Sequence, residues 1–304
     1  MKVLVTLLLS FALLLPLPLT AASSVEDATV NLYCRSKLGS TLFNMTGTGV
    51  FIDAKGVILT NAHVGQNFLL ATSSAKAKTT CTVRTGSPAR DTYTASLLYL
   101  SPEWARGYID AVDDKGGDTG TGERDFALLY VTGTKNKKGK LPAAFPYLPL
   151  ASASEIPFLA QGTPLSVAGY PAGKKNFRDV RGKLSYLAAS TTLESIRTFE
   201  RPNADVLVLA PTKAAQPGVS GGPVIRASGD IAGIAATMGD AKKNGLRSLR
   251  AITTAHLERM TLRDAGVSFA SLYLGNLAER ARITEAALPS GIRQALETSL
   301  RRVR

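Results

Sequence analysis

Short apolar runs bounded by Gly, Asp and Pro recur through most of this chain, and their spacing constrains the fold more than any other feature. Val50-Phe51-Ile52 and Val57-Ile58-Leu59 flank Asp53-Ala54-Lys55-Gly56, which reads as a hairpin because Asp and Gly supply the turn. Tyr93, Ala95 and Leu97 alternate with polar residues, and Phe126-Ala127-Leu128-Leu129-Tyr130-Val131 is a further apolar run. A second block follows, with Leu165-Ser166-Val167-Ala168, Val206-Leu207-Val208-Leu209, Pro223-Val224-Ile225 and Ile231-Ala232-Gly233-Ile234. Many short strands at regular spacing predict an all-β chain built as barrels or sandwiches. The stretch 101–124, rich in Gly and Asp, reads as a polar loop. Beyond Thr254 the period changes: Ile292, Leu296, Leu300 and Val303 recur at helical spacing, with Pro289-Ser290 as a start signal. The expected organisation is an N-terminal segment 1–22, a β unit 28–132, a linker 133–154, a second β unit 155–254 and a helical tail 255–304. The last helix of that tail is expected to dock on the second β unit, the alternative being contact with a partner.

The N-terminal segment is a separate object. Lys2 precedes an apolar run ending at Pro16 and Pro18, and Thr20-Ala21-Ala22 offers small residues for cleavage. This pattern reads as a secretory signal, the alternative being an uncleaved membrane tether. The expected location is outside the cytoplasm, periplasmic or extracellular. In that setting Cys34 and Cys81, the chain's two cysteines, suggest one disulfide, against the alternative of two unpaired thiols. They do not make a zinc site of normal spacing. Removing 1–22 leaves 35 basic against 23 acidic side chains, a charge of +12. Such a charge allows association with an acidic envelope surface. No aromatic residues interleave with the basic ones, so nucleic acid is not an expected partner. With 45% hydrophobic residues over 304 positions the chain has material for a sizeable core, which excludes wholesale disorder.

Three features carry chemistry. Thr60-Asn61-Ala62-His63-Val64 ends an apolar strand in a histidine, and only two histidines exist. Arg124-Asp125-Phe126 places a carboxylate at the start of a strand, where partial burial demands a partner. Pro217-Gly218-Val219-Ser220-Gly221-Gly222-Pro223 crowds glycines around one serine. Glycine permits unusual dihedrals and close approach, which suits a nucleophile whose neighbouring N–H groups must face a developing oxyanion. A serine needs a base, a histidine is the natural one, and a carboxylate fixes its tautomer. His256 follows the serine in sequence, but lacks the strand–turn–helix context that such an order requires. Asp110, Asp113, Asp114 and Asp118 lack the spacing of a calcium loop and read as part of the acidic loop.

Together these runs resemble the trypsin-like serine proteases of the HtrA-related bacterial type. The resemblance lies in Thr46-Gly47-Thr48-Gly49-Val50-Phe51-Ile52, Leu59-Thr60-Asn61-Ala62-His63-Val64, Asp125-Phe126-Ala127-Leu128-Leu129, Gly169-Tyr170-Pro171-Ala172-Gly173 and Ser220-Gly221-Gly222-Pro223. It spans about residues 28–260. It implies two six-stranded antiparallel barrels of the chymotrypsin type, with His63, Asp125 and Ser220 in the cleft between them. It also implies the roles of Ser220 as nucleophile, His63 as base and then acid, and Asp125 as orienter. The N–H groups of Gly218 and Ser220 would form the oxyanion hole, and polypeptides would be the substrates; no cofactor or metal is implied. Val219 stands where digestive members carry an Asp, so activation by a new N-terminal amine is not expected. No PDZ-like module follows, so regulation through one is not expected either. Ala214 stands at the base of the family's primary specificity pocket, with Ala235, Ala236 and Thr237 as a wall, which implies cleavage after small or medium apolar residues. The alternatives are a catalytically silent polypeptide binder of the same fold and a basic envelope-associated scaffold.

Overall fold

The computed structural model describes residues 24–71, 77–113, 122–136, 138–173, 177–182, 184–241 and 245–302. The segment 1–22, read above as a secretion signal, lies outside them, as do Asp114 and Asp118. No described helix is long and apolar enough to cross a membrane.

Twelve described strands form two closed antiparallel barrels. The first contains β1 (Thr29–Leu38), β2 (Thr41–Asp53), β3 (Val57–Thr60), β4 (Lys78–Thr85), β5 (Arg90–Leu100) and β6 (Ala127–Thr134), in the order β1-β2-β3-β6-β5-β4. The second contains β7 (Pro164–Gly169), β8 (Leu187–Arg197), β9 (Val206–Thr212), β10 (Pro223–Arg226), β11 (Ile231–Ala241) and β12 (Arg247–Thr253), in the order β10-β11-β12-β9-β8-β7. This is the chymotrypsin-like architecture that the sequence implied. The β2–β3 hairpin turns where expected: Gly56 adopts φ +85° and its N–H donates to Asp53 O at 3.0 Å. In β8 buried and open positions alternate around Thr191 and Leu193, the period-2 signature of a wall with one face in a core.

Cys34 and Cys81 face each other on β1 and β4 and form a disulfide across 47 residues. In the chain-entropy account, such a closure stabilises the fold by about 4 kcal/mol. It sits at the seam that closes the first barrel, where no short turn joins the two strands.

The barrels share a core. Val50, Leu59 and Leu128 from the first pack in one cluster with Ile225, Ile234 and Ile252 from the second. The connection between them is held on both sides: Phe145 N donates to Ala54 O at 2.9 Å and Ala151 N to Ile231 O at 2.8 Å.

Seven helices are described: α1 (Val25–Ala28), α2 (Ala62–Gly65), α3 (Pro102–Asp113), α4 (Phe177–Gly182), α5 (Thr254–Ala265), α6 (Leu277–Ala287) and α7 (Ile292–Arg302). Two differ from the sequence reading. The stretch 101–124 is not wholly loop, because α3 occupies its first half. Trp104, Ala105, Tyr108 and Val112 form its buried stripe, and Asp110 and Asp113 ride on it. The polar residues around that stripe conceal its period. The last helix of the tail also docks on the other barrel, while α5 lies against β11 and β12 of the second. Ile292, Ala295, Leu296 and Leu300 of α7 pack with the α3 stripe in the core cluster of the first barrel. Each helix supplies the apolar face that the other needs, and neither face is legible as a pair in the sequence.

Candidate active site

The end of β3 sets the position of His63. Asn61 lies just past the strand, and its Nδ2 donates to Asp125 O at 2.9 Å. The one-turn helix α2 then carries His63, whose backbone N–H donates to Asp125 Oδ1 at 2.9 Å. The ring Nδ1 lies 2.8 Å from Asp125 Oδ2 and 3.0 Å from Oδ1. A ring nitrogen facing two carboxylate oxygens acts as a donor, so the proton sits on Nδ1 and Nε2 keeps its lone pair. The Asp125 side chain is 7% exposed and that of His63 38%, so the carboxylate is shut from water while the ring edge remains reachable. Burial of the ring by itself pushes its pKa down. The negative charge of Asp125 and its hydrogen bond push it up, and the balance lies above the ordinary histidine value.

The serine loop is locked from beneath by Thr48 of β2. Thr48 N donates to Ser220 O at 2.8 Å, and Thr48 Oγ1 donates to Gly218 O at 2.7 Å. The same hydroxyl accepts from Tyr170 N at 3.0 Å, and Thr48 O accepts from Thr60 Oγ1 at 2.7 Å. One threonine therefore ties together the serine loop, the end of β7 and the strand that leads to His63. Gly221 adopts φ +85°, and a Cβ there would fall 2.2 Å from Thr48 O and 3.1 Å from Asn61 N. Only glycine lets the serine loop lie this close to the strand end carrying the histidine.

Between Gly218 and Gly222 the amides alternate. Val219, Gly221 and Gly222 donate to Gln216 O, Ala235 O and Val219 O. The Gly218 and Ser220 amides make no backbone hydrogen bond among the described residues. Those are the two N–H groups that the sequence reading nominated. Neither the Ser220 hydroxyl nor His63 Nε2 has a hydrogen-bond partner among the described residues.

Two cavities flank His63. One, of 710 Å³, lies toward the second barrel and is lined by His63, Asp125, Phe199, Ala236, Thr237 and Arg250, among others. The other, of 340 Å³, lies toward β1, β2 and α7, between Cys34, Met45, His63, Val64 and Leu296. Of the residues nominated for the primary pocket, Ala214 and Ala235 are fully buried in the second-barrel core, while Ala236 and Thr237 line the larger cavity. His256 is also fully buried. Its Nδ1 lies 3.0 Å from Asp205 Oδ1, its Nε2 meets Glu123 O, and Arg259 joins the same carboxylate. Burial alone would raise the pKa of Asp205, but hydrogen bonds from His256, Arg259 and Thr198 hold it down at about 2. This group clamps the segment just before Asp125 and takes no part in the cleft.

Thr48 is the residue to which the sequence reading gave no role, although it stands between Gly47 and Gly49, where added Cβ atoms would strike Val64 on one side and Ile58 on the other. Thr48→Val keeps the shape and removes the hydroxyl. The Gly218 carbonyl and the Tyr170 amide are then left without their partner. Unsatisfied buried groups of this kind cost about 1–3 kcal/mol each. Thr48→Val is expected to lower the melting temperature and to slow any turnover at Ser220 about tenfold or more, while Thr48→Ser restores both. Calorimetry together with rates on a peptide substrate checks this.

Comparison with known proteins agrees with this architecture. A family model for the trypsin-like peptidase domain matches residues 47–234, more than half of the chain. No curated protein matches. Among solved structures, the chain is similar to the HtrA-type protease AlgW with a decapeptide, at 21% identity and a TM-score of 0.47. That match covers 79% of this chain and 66% of the other, so this chain spans just under two thirds of its relative. It is also similar to the active form of the Rv3671c protease from M. tuberculosis, at 19% identity and a TM-score of 0.46, covering 84% and 96% of the two chains. On the family match over residues 47–234, the chain belongs to the trypsin-like peptidase family.

Proposed function

We propose that the chain is an exported serine endopeptidase that cleaves polypeptides after small or medium apolar residues. In this reading Ser220 Oγ attacks the scissile carbonyl and gives its proton to His63 Nε2. The tetrahedral oxyanion is held by the amides of Gly218 and Ser220. The C–N bond then breaks, the leaving amine takes the proton from His63, and an ester on Ser220 remains. Water attacks that ester, again passing a proton to His63; the C–Oγ bond then breaks, His63 returns the proton to Ser220 Oγ, and the acid product leaves. Asp125 holds the ring and stabilises the imidazolium at each stage.

The observation that carries the reading is the Asp125–His63 pair, with Nδ1 at 2.8 Å and Nε2 free, beside a serine loop whose two nominated amides are also free. No hydrogen bond joins Ser220 to His63 among the described residues, and in this reading that bond forms when substrate fills the site, where catalytic hydrogen bonds tighten. The small side chains of Ala236 and Thr237 on the cavity wall, and the absence of a charged side chain at the buried Ala214, support small apolar residues at the cleaved position. The Cys34–Cys81 disulfide supports an oxidising compartment, in keeping with the sequence of segment 1–22. Val219 is buried and apolar, which supports activity without trimming to a new amine.

A fluorophosphonate probe tests the reading. Labelling of the folded chain is expected, absent in Ser220→Ala and strongly reduced in His63→Ala. A folded chain that takes no label would instead be a silent binder.

A further inference from the structure

Two arginines on the wall of the larger cavity stand without a partner among the described residues. Arg197 ends β8, and Arg250 lies on β12 opposite Thr237 of β11. Both line the cavity that holds His63 and Asp125. The registers place them on one face of the sheet. Arg197 and Ile252 both pair with Val206 of β9, while Arg250 pairs with Val208, two residues farther along that strand. Side chains at paired positions, and at positions two apart, point the same way. Between Ala235 and Thr237 the pairing with β12 shifts by one residue, the kind of irregularity that re-aims a strand. Ala251 thus faces the core while Arg250 is exposed beside the cleft.

The surrounding carboxylates are already committed. Among the described residues Asp125 is the only one lining the cavity, and His63 faces both its oxygens. Glu200 pairs with Arg263 at 2.6 Å, and Asp205 is buried beneath His256 and Arg259. The same wall carries Phe199, Val206 and Ile252. Two guanidinium groups over an apolar floor form a site for a carboxylate, because water is partly displaced there and the planar fork matches its geometry.

We infer that Arg197 and Arg250 form a subsite for an acidic side chain of the substrate, on the acyl side of the scissile bond. The inference rests on the function proposed above and adds a charge requirement to it. Ala236 and Thr237 wall both the primary pocket of that reading and this cavity, which places the subsite on the acyl side within a few residues of the cut. The substrate class is therefore a polypeptide with Glu or Asp a short distance before a small apolar residue.

Peptides that differ only by Glu, Gln or Lys at the second, third or fourth residue before the cut provide the test, with kcat/KM measured on the full chain. At one of these positions Glu is expected to exceed Gln about tenfold and Lys by more, with the advantage shrinking as salt rises. In Arg197→Gln/Arg250→Gln the Glu-to-Gln ratio is expected to fall to about one. Arg250→Glu is expected to reverse the preference toward Lys, which tests the site without depending on the double variant's fold. Lys equal to or above Glu at all three positions overturns the inference, and so does a Glu preference that survives in the folded double variant. Probe labelling of the unaltered chain separates the failures: without label the proposed function falls, whereas with label and no acidic preference only the subsite falls.

Discussion

Ser220→Ala is expected to lower kcat on a cleavable peptide about a million-fold, and His63→Ala by a similar factor. The reason is shared dependence. A serine hydroxyl is a weak nucleophile at neutral pH, and the imidazole acts only by taking its proton. Without the hydroxyl His63 has nothing to activate, and without the ring Ser220 stays protonated. The double variant is therefore expected to be no slower than either single one. What remains would come from the Gly218 and Ser220 amides and from substrate binding, a residual of about 10³–10⁴ over water. The Ser220 hydroxyl has no hydrogen-bond partner among the described residues, so its removal orphans no buried group. The melting temperature of Ser220→Ala is expected to stay close to that of the parent. Single-turnover rates and calorimetry on all three variants check both halves. More than a hundredth of the activity retained in Ser220→Ala would exclude this serine as the nucleophile, and multiplicative losses would exclude a shared step.

The barrels were legible because their strands alternate and their turns use Asp and Gly. The Asp53–Gly56 hairpin and the strand that follows Asp125 sit where the pattern placed them. The α3 helix escaped because its stripe is broken by charged residues and is completed only by α7, almost 190 positions later. The His63–Asp125 pair spans 62 residues, so no local spacing rule reaches it; the chemistry of a serine, a base and a carboxylate, together with the resemblance of whole motifs, linked the two. Thr48 escaped for the opposite reason. It looks like an ordinary strand residue until its hydroxyl is found between the serine loop and Tyr170. The arginines at 197 and 250 become neighbours of the site only through the β8-β9-β12 register. Sequence reading recovered what is periodic or shared by a family, and missed what depends on tertiary pairing particular to this chain.

Asp125→Asn should cost about 10⁴ in kcat/KM and also move its acid limb to lower pH. Both effects follow from where the two carboxylate oxygens point. Oδ1 already accepts the backbone N–H of His63 at 2.9 Å, while Oδ2 faces Nδ1 at 2.8 Å. An asparagine keeps its carbonyl toward the backbone N–H, so its amide –NH₂ must take the place of Oδ2. That group donates, which forces Nδ1 to accept and drives the ring proton to Nε2. A ring protonated at Nε2 has no lone pair for the Ser220 proton, and a swapped tautomer of this kind accounts for a loss of about 10⁴. The pH effect has an independent cause. In the parent chain the attraction of Asp125 outweighs burial and holds the His63 pKa above its ordinary value, so kcat/KM should rise with pH through a midpoint above about 6.5. With the charge removed, burial acts unopposed and favours the neutral ring, so the midpoint should fall below that of the parent. A full pH profile of both proteins measures the two effects separately. An unchanged or higher midpoint in Asp125→Asn would mean that the carboxylate does not set the charge of His63, even if the rate fell.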